Sequence, residues 1–329
     1  MRALSLFLSI LHLSAAGALH LATISCAPNA ATRLAAAALE AGALHAAPSA
    51  AGSVVLLLPP ACCQPAWFAT LGAGAVEPAE LEPLWEPDDW HDAAAASSFA
   101  PHRVGASPLR VRPLPLDPRD PAAADDVLLL EHPHAFLTTS AGKLHVSTLL
   151  VLELLAAYTA ELREARALLD FGCGSGVLSL AALALGAGGS GLRAFGVDVH
   201  DAAICAARRN AALNAHGGHA EFGFAWELPA ALRVGVAVAN MMPGPLCSVA
   251  PELVQRTRAG GLLLLSGFRE ADLPALRAAF EPHFQLPAQP TLRRAGRADE
   301  AGGHWLALAC RRAEGTRLET DQLSESAVG

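Results

Sequence analysis

From Val146 onward the chain alternates between two hydrophobic periods. Apolar positions at helical spacing predict helices over 147–165, 176–185, 201–215, 246–257 and 273–284. Between them, short apolar runs predict strands over 167–171, 194–197, 234–239, 262–266 and 305–310. Strands that alternate with helices, and whose apolar runs are unbroken, imply a mostly parallel sheet covered on both faces. Upstream the pattern is less regular. SVVLLL, 53–58, reads as a strand closed by Pro59 and Pro60, and the alternation of PLRVRPL, 108–114, reads as another. The run PLDPRDPAAADD, 115–126, is a turn-rich linker, and VLLLEHP after it is a short strand. The acidic, Pro- and Trp-bearing stretch 77–92 belongs to the surface of a small N-terminal domain. No internal repeat occurs.

The first residues carry a different signal. MRALSLFLSILHLSAAGALH has one early arginine, an apolar run and then small residues, as a secretory leader has. That run is too short to span a membrane comfortably. The next segment contains no acid before Glu40. Together they predict a two-part presequence over 1–42 and an organelle, with a plastid favoured over a mitochondrion and plain secretion as the rival.

Composition narrows the classes. The chain of 329 residues is long enough for one large or two modest domains. A formal net charge of −8 argues against direct nucleic-acid binding through phosphates. The cysteines at 26, 62, 63, 173, 205, 247 and 310 include no C-x-x-C pair, so no metal site and no disulfide framework is expected.

The chemistry concentrates in LLDFGCGSGVLSLAAL, 168–183. A strand, then Gly172, Gly174 and Gly176, then a helix is a cofactor turn: glycines permit positive φ and let a ligand approach the backbone, and the helix start offers free N–H groups. Asp170 lies at the lip of the strand, where a cationic or amine-bearing ligand would meet it. Asp198 closes the next strand, placed to accept hydrogen bonds from ribose hydroxyls. The dinucleotide fingerprint is G-x-G-x-x-G; here Val177 occupies its third glycine position. The spacing therefore favours S-adenosyl-L-methionine over a nicotinamide dinucleotide. Asn240 ends a third strand, so Asp170, Asp198 and Asn240 are expected to face one crevice. In KLHVST, Ser147 or Thr148 is expected to cap the first helix, with a hydroxyl reaching over the glycine turn, and His145 is read as a solvated loop residue.

DFGCGSGVLSLAALALGA, GVDVHDAAICAARRNAALNA, VAVANMMPGPLCSVAPEL and GGLLLLSGF resemble the ribosomal protein L11 methyltransferases. The order also matches at Asp89 and Trp90, at FAPHRVG from Phe99, and at the closing GGHWLALACRR. The resemblance implies a class I methyltransferase: an α/β, Rossmann-like, seven-stranded sheet with its last strand antiparallel, and a smaller N-terminal α+β domain that grips a protein substrate. It implies S-adenosyl-L-methionine as cofactor, with contacts from Thr148, Asp170, Gly172, Gly174, Gly176, Asp198 and Asn240, and a catalytic role for Asn240. The implied partner is ribosomal protein L11 or a similar organellar protein, methylated on lysine or N-terminal amines, with no nucleic acid and no membrane involved in the mature form. The loop 137–144 is longer than the family's, which leaves open another protein lysine or small amine as acceptor, or a silent cofactor-binding scaffold. The organisation expected is 43–100 for substrate recognition, 101–146 for linker and active-site loop, 147–312 for cofactor binding and 313–329 for a disordered tail.

Overall fold

The computed structural model describes residues 20–49, 52–58, 62–71, 81–83, 101–114, 120, 122–123, 125–130, 138–139, 143–187, 189, 191–295 and 303–314. The expectations placed on 1–19, on Asp89, Trp90 and Phe99, and on most of 313–329 lie outside them.

The small unit begins earlier than the sequence implies. β1 (His20–Ser25), β2 (His45–Ser49), β3 (Ser53–Leu58) and β4 (Leu81–Pro83) form an antiparallel sheet in the order β2-β3-β1-β4. β1 is therefore an interior strand. Helix α1 (Ala31–Glu40) buries Ala31, Leu34, Ala35 and Ala38 against Ile24, Val54, Leu56 and Leu58. The presequence expected over 1–42 is corrected for 20–42. The alanine-rich, acid-free composition that imitated a leader is the apolar face of a packed helix and its strand. A short helix α2 (Pro65–Ala69) completes this core with Phe68.

A second, three-stranded sheet joins β5 (His102–Arg103), β6 (Arg110–Pro113) and β7 (Asp126–Leu129). Asp126, expected at the end of the linker, instead opens β7. Its buried carboxylate accepts from Arg110 Nε at 2.7 Å and Arg112 Nη1 at 2.8 Å. A two-stranded ribbon, β8 (Thr138–Thr139) with β9 (Lys143–Leu144), leads into the large domain.

The large domain follows as α3 (Val146–Ala157), α4 (Thr159–Glu164), β10 (Ala167–Phe171), α5 (Val177–Gly186), β11 (Arg193–Val197), α6 (Asp201–Ala212), β12 (Ala220–Gly223), β13 (Val234–Asn240), α7 (Pro243–Ser248), α8 (Ala250–Arg256), β14 (Thr257–Arg269), α9 (Leu273–Phe280), β15 (Phe284–Gln285), β16 (Leu292–Ala295) and β17 (His304–Arg312). The sheet order is β12-β11-β10-β13-β14-β17-β15. β10 to β14 run parallel, and β17 is antiparallel to β14. The class I architecture with an antiparallel last strand is what the sheet shows; short β16, paired to β17, adds an eighth strand to the expected seven. Two apolar clusters cover the two faces, one containing Leu168, Leu180 and Leu264, the other Leu169, Leu253 and Leu263. Alternate residues of each strand thus feed opposite layers. Every residue of α5 is buried, as befits a helix that is apolar all round.

Several element boundaries differ from expectation. The helix expected over 246–257 starts at Pro243 and is split into α7 and α8, because Pro251 in the first turn of α8 has no N–H to continue a helix. The helix expected over 147–165 breaks at Tyr158 without a glycine or proline to mark it.

Candidate functional site

The glycine turn leaves β10 and is tied at once to its neighbour: Gly172 N and Cys173 N both donate to Val197 O, at 2.8 and 3.0 Å. Gly172, Gly174 and Gly176 have φ of +79°, +53° and +78°. Three left-handed residues in five are open only to glycine at small strain. A Cβ on Gly172 would lie 2.7 Å from Met241 Cε, and one on Gly176 would press on Phe222 and Ala207. The turn is a cradle of bare backbone.

Asp198 follows β11 directly. Its Oδ2 accepts from Gly174 N at 3.0 Å and its Oδ1 from His200 N at 3.0 Å. These bonds hold the carboxylate beside the turn and leave lone pairs for a diol. The strand register sets Phe171 opposite Val197 on one side and Ala239 on the other. Asp198 and Asn240 therefore flank Gly172 at one level, about 10 Å apart by two strand spacings.

Asn240 Nδ2 donates to Thr148 Oγ1 at 3.2 Å. Thr148 is buried, so its hydroxyl meets Asn240 rather than standing open over the turn. Capping of α3 also differs. His145, not Ser147 or Thr148, is the cap: its Nδ1 accepts from Ser147 N at 3.3 Å and lies 2.8 Å from Ser147 Oγ. His145 is not a solvated loop residue, because its ring stands edge-on to Trp305, with centroids 4.7 Å apart. The Arg269 guanidinium lies 4.4 Å from the same indole centroid. Trp305 thereby fixes the start of α3, and with it Thr148, to the edge of β17.

Asp170 does not sit at the lip. It is fully buried, with Oδ2 accepting from Ser179 N at 3.1 Å and Ser179 Oγ at 2.8 Å, while Oδ1 has no partner. Burial pushes its carboxyl up to about 6, and the charge of Asp198 adds to the rise. Of the three strand-end residues, then, Asp198 and Asn240 flank the turn while Asp170 underpins it.

The same rim carries residues that the sequence analysis did not single out. Val199, Trp226 and Met242 follow β11, β12 and β13 within a few positions, and each is more than two-thirds exposed. Trp226 stacks on Phe224 at 4.4 Å and 6°. Large apolar side chains just beyond strand ends were the available signal. Bare backbone, a diol acceptor and apolar surface at one strand-end rim fit an adenosyl group. Among the described residues no cluster of His, Cys, Asp and Glu is arranged to hold a metal ion.

A family model described as Ribosomal protein L11 methyltransferase (PrmA) matches residues 78–293. A curated relative of that name from Pseudomonas aeruginosa (strain LESB58) is 40% identical over 188 residues, 56% of this chain and 56% of its own. The match thus spans little more than half the relative's length. One from Pseudomonas paraeruginosa is 36% identical over 253 residues, 75% of each chain. A crystal structure of a ribosomal protein L11 methylase from Lactobacillus delbrueckii subsp. bulgaricus is 26% identical, covering 64% of this chain and 97% of its own, with a TM-score of 0.48. Further relatives come from Thiobacillus denitrificans and Azotobacter vinelandii. These relatives are bacterial proteins, which corrects the expectation of an organelle. The glycine turn, the acid bound to it and the Asn240 station sit in a chain that belongs to the ribosomal protein L11 methyltransferase family.

Proposed function

We propose that this chain transfers methyl groups from S-adenosyl-L-methionine to amine nitrogens, of lysine or the N-terminus, on ribosomal protein L11. The observation that carries the reading is the Asp198 carboxylate, held by Gly174 N–H beside three left-handed glycines at the carboxyl rim of the parallel sheet. Ligands of open α/β sheets bind at that rim. Family membership supports both the cofactor and the acceptor protein.

The cofactor, when bound, supplies an electrophilic methyl group on a cationic sulfur. The chain's residues have the work of placement. Asp198 takes the ribose, the bare turn admits the rest of the nucleoside, and Val199 offers apolar surface to the base. An acceptor amine must arrive neutral, which for a free lysine costs roughly 4–5 kcal/mol at pH 7. Desolvation at the rim beside a cation lowers that cost. Asn240, its NH2 group turned to Thr148, presents its side-chain carbonyl to an amine hydrogen. The acceptor nitrogen's proton leaves to solvent, and no side chain is assigned as general base.

Labelled methyl donor is added to purified L11 and, separately, to a fractionated ribosomal protein extract. Label is expected in L11 and to fall at least tenfold with Asn240→Ala. Label in a different protein would overturn the acceptor; retained cofactor affinity with no transfer would mark a scaffold.

A further inference from the structure

The end of helix α6 and the turn that follows it carry the two buried asparagines of RNAALNA, Asn210 in the helix and Asn214 just past it. They are tied by Asn214 Nδ2 donating to Asn210 O at 2.6 Å, and the side-chain amides of both face a strand edge. Asn214 Oδ1 accepts from Leu128 N at 2.8 Å, and its Nδ2 donates to Leu128 O at 2.7 Å. Asn210 Oδ1 accepts from Leu130 N at 2.8 Å, and its Nδ2 donates to Leu130 O at 3.3 Å. Two residues along a strand advance about 6.7 Å, and the last turn of α6 with the turn after it covers a similar distance, about 6 Å for four residues at helical rise. The two amides act as a substitute strand. They satisfy the edge that β6 does not cover, at Leu128 of β7 and at Leu130 just after it, whose N–H and C=O groups would otherwise be buried unpaired.

Asn210 does one thing more. Its Nδ2 also donates to Ser175 O at 2.9 Å, inside the glycine turn. The same helical segment reaches the small domain. Leu213 packs with Leu21 and Leu57 of that domain and with Leu114, Leu128 and Leu130, and Leu213 O is bonded to His45 Nε2 at 3.1 Å. One helix end therefore touches the cofactor turn, the connecting strand and the N-terminal sheet.

We propose that Asn210 is a positioning residue of the cofactor turn: it fastens Ser175 to β7 and so couples nucleoside binding to the seating of the small domain. This rests on the cofactor reading above, and the sister residue separates the two. Asn214 makes the same ladder to β7 but no bond to the turn. Binding of S-adenosylhomocysteine is measured by calorimetry on the wild-type chain, Asn210→Ala and Asn214→Ala, with the melting temperature of each. Asn210→Ala is expected to lower affinity about tenfold, while Asn214→Ala stays within about twofold despite a comparable fall in melting temperature. Equal affinity losses in the two variants would reduce Asn210 to a structural residue and overturn the proposal. A wild-type chain that binds no nucleoside would overturn the functional reading, and the coupling with it.

The wild-type chain gives a second test that does not depend on a variant folding. Coupling is reciprocal, so saturating S-adenosylhomocysteine should slow hydrogen exchange at the Leu128 and Leu130 amides several-fold. Protection confined to 172–179 would count against the coupling.

Discussion

Asp170 keeps a carboxyl where water does not reach, and only one of its oxygens is hydrogen-bonded. Raising that group from its ordinary 3.8 to about 6 destabilises the fold by roughly 3 kcal/mol at pH 7. The sign follows from linkage: folding favours the protonated form, so its contribution is complete below pH 3.8 and is lost as pH rises through 6. Asp170→Asn keeps an acceptor for Ser179 and carries no charge. It is expected to be more stable than wild type by about 1–3 kcal/mol at pH 7.5, with the difference vanishing near pH 3.5, as read by urea unfolding at both. A constant difference across pH would show that the gain is packing rather than charge. Asp198 is the counterpart proposed to face the ligand. On the proposed role, removing an acceptor of two ribose hydroxyls forfeits charge-assisted bonds worth about 1.5–3 kcal/mol each. Asp198→Ala should therefore weaken S-adenosylhomocysteine by about a hundredfold or more, and unchanged affinity by calorimetry would remove the assignment. The residue types of the turn were legible because only glycine tolerates those angles and an acid two positions ahead is conspicuous. The direction of Asp170 was not, since one residue of register decides whether a strand side chain meets the rim or the layer beneath it.

At the scale of elements, the loop after β13 is held by an approach that no motif announces. β14 shifts register between Ser266 and Phe268, and Gly267 there has φ +95°. A Cβ at Gly267 would lie 2.2 Å from Met241 O, with the Met241 carbonyl carbon and nitrogen at 2.7 and 2.8 Å. Nothing flexible stands in that space; it is backbone. Gly267→Ala must push the Asn240–Met241 segment away from β14. It is expected to lower stability by about 2–4 kcal/mol, in line with strain plus overpacking, and to lower kcat more than cofactor affinity. A thermal scan and steady-state kinetics read both, and a variant with wild-type kcat would show that the close approach does not place Asn240. Long, periodic elements such as β10, β13 and α5 were readable because burial on both sides imposes unbroken apolar runs. β12 was not, because AEFG offers Phe222 as its single large apolar residue and is defined by pairing with β11. Short edge elements β15 and β16 were missed for the same reason: pairing with β17, not local pattern, makes them strands.

For the whole molecule, the question is what holds two sheets with separate cores in one arrangement. The apolar contact of Leu21 and Leu57 with Leu114, Leu128, Leu130 and Leu213 is one tie, and the buried His45 with its bond to Leu213 O is another. None of this was legible in the amino-terminal composition, where leucine and alanine read as a leader until β1 supplied a partner for them. His45 gives the tie a pH dependence. Burial holds its imidazole below its ordinary 6.5, more strongly than the Leu213 carbonyl raises it. Well above pH 6.5 the ring is neutral in folded and unfolded chains alike, and it contributes no pH term. As pH falls below that value the unfolded chain takes up the proton first, so stability declines, by at most about 1.4 kcal/mol per pH unit, until the folded ring protonates too. His45→Gln retains an N–H for Leu213 O but does not titrate. Wild type and His45→Gln should therefore show a stability difference that is flat between pH 7 and 8 and shifts in favour of the glutamine variant from pH 6.5 to 5. Because Asp170 is common to both chains, its opposite trend cancels in the difference. A flat difference over the whole range would mean that His45 is solvated in solution, and that the apolar contact alone seats the small domain on α6.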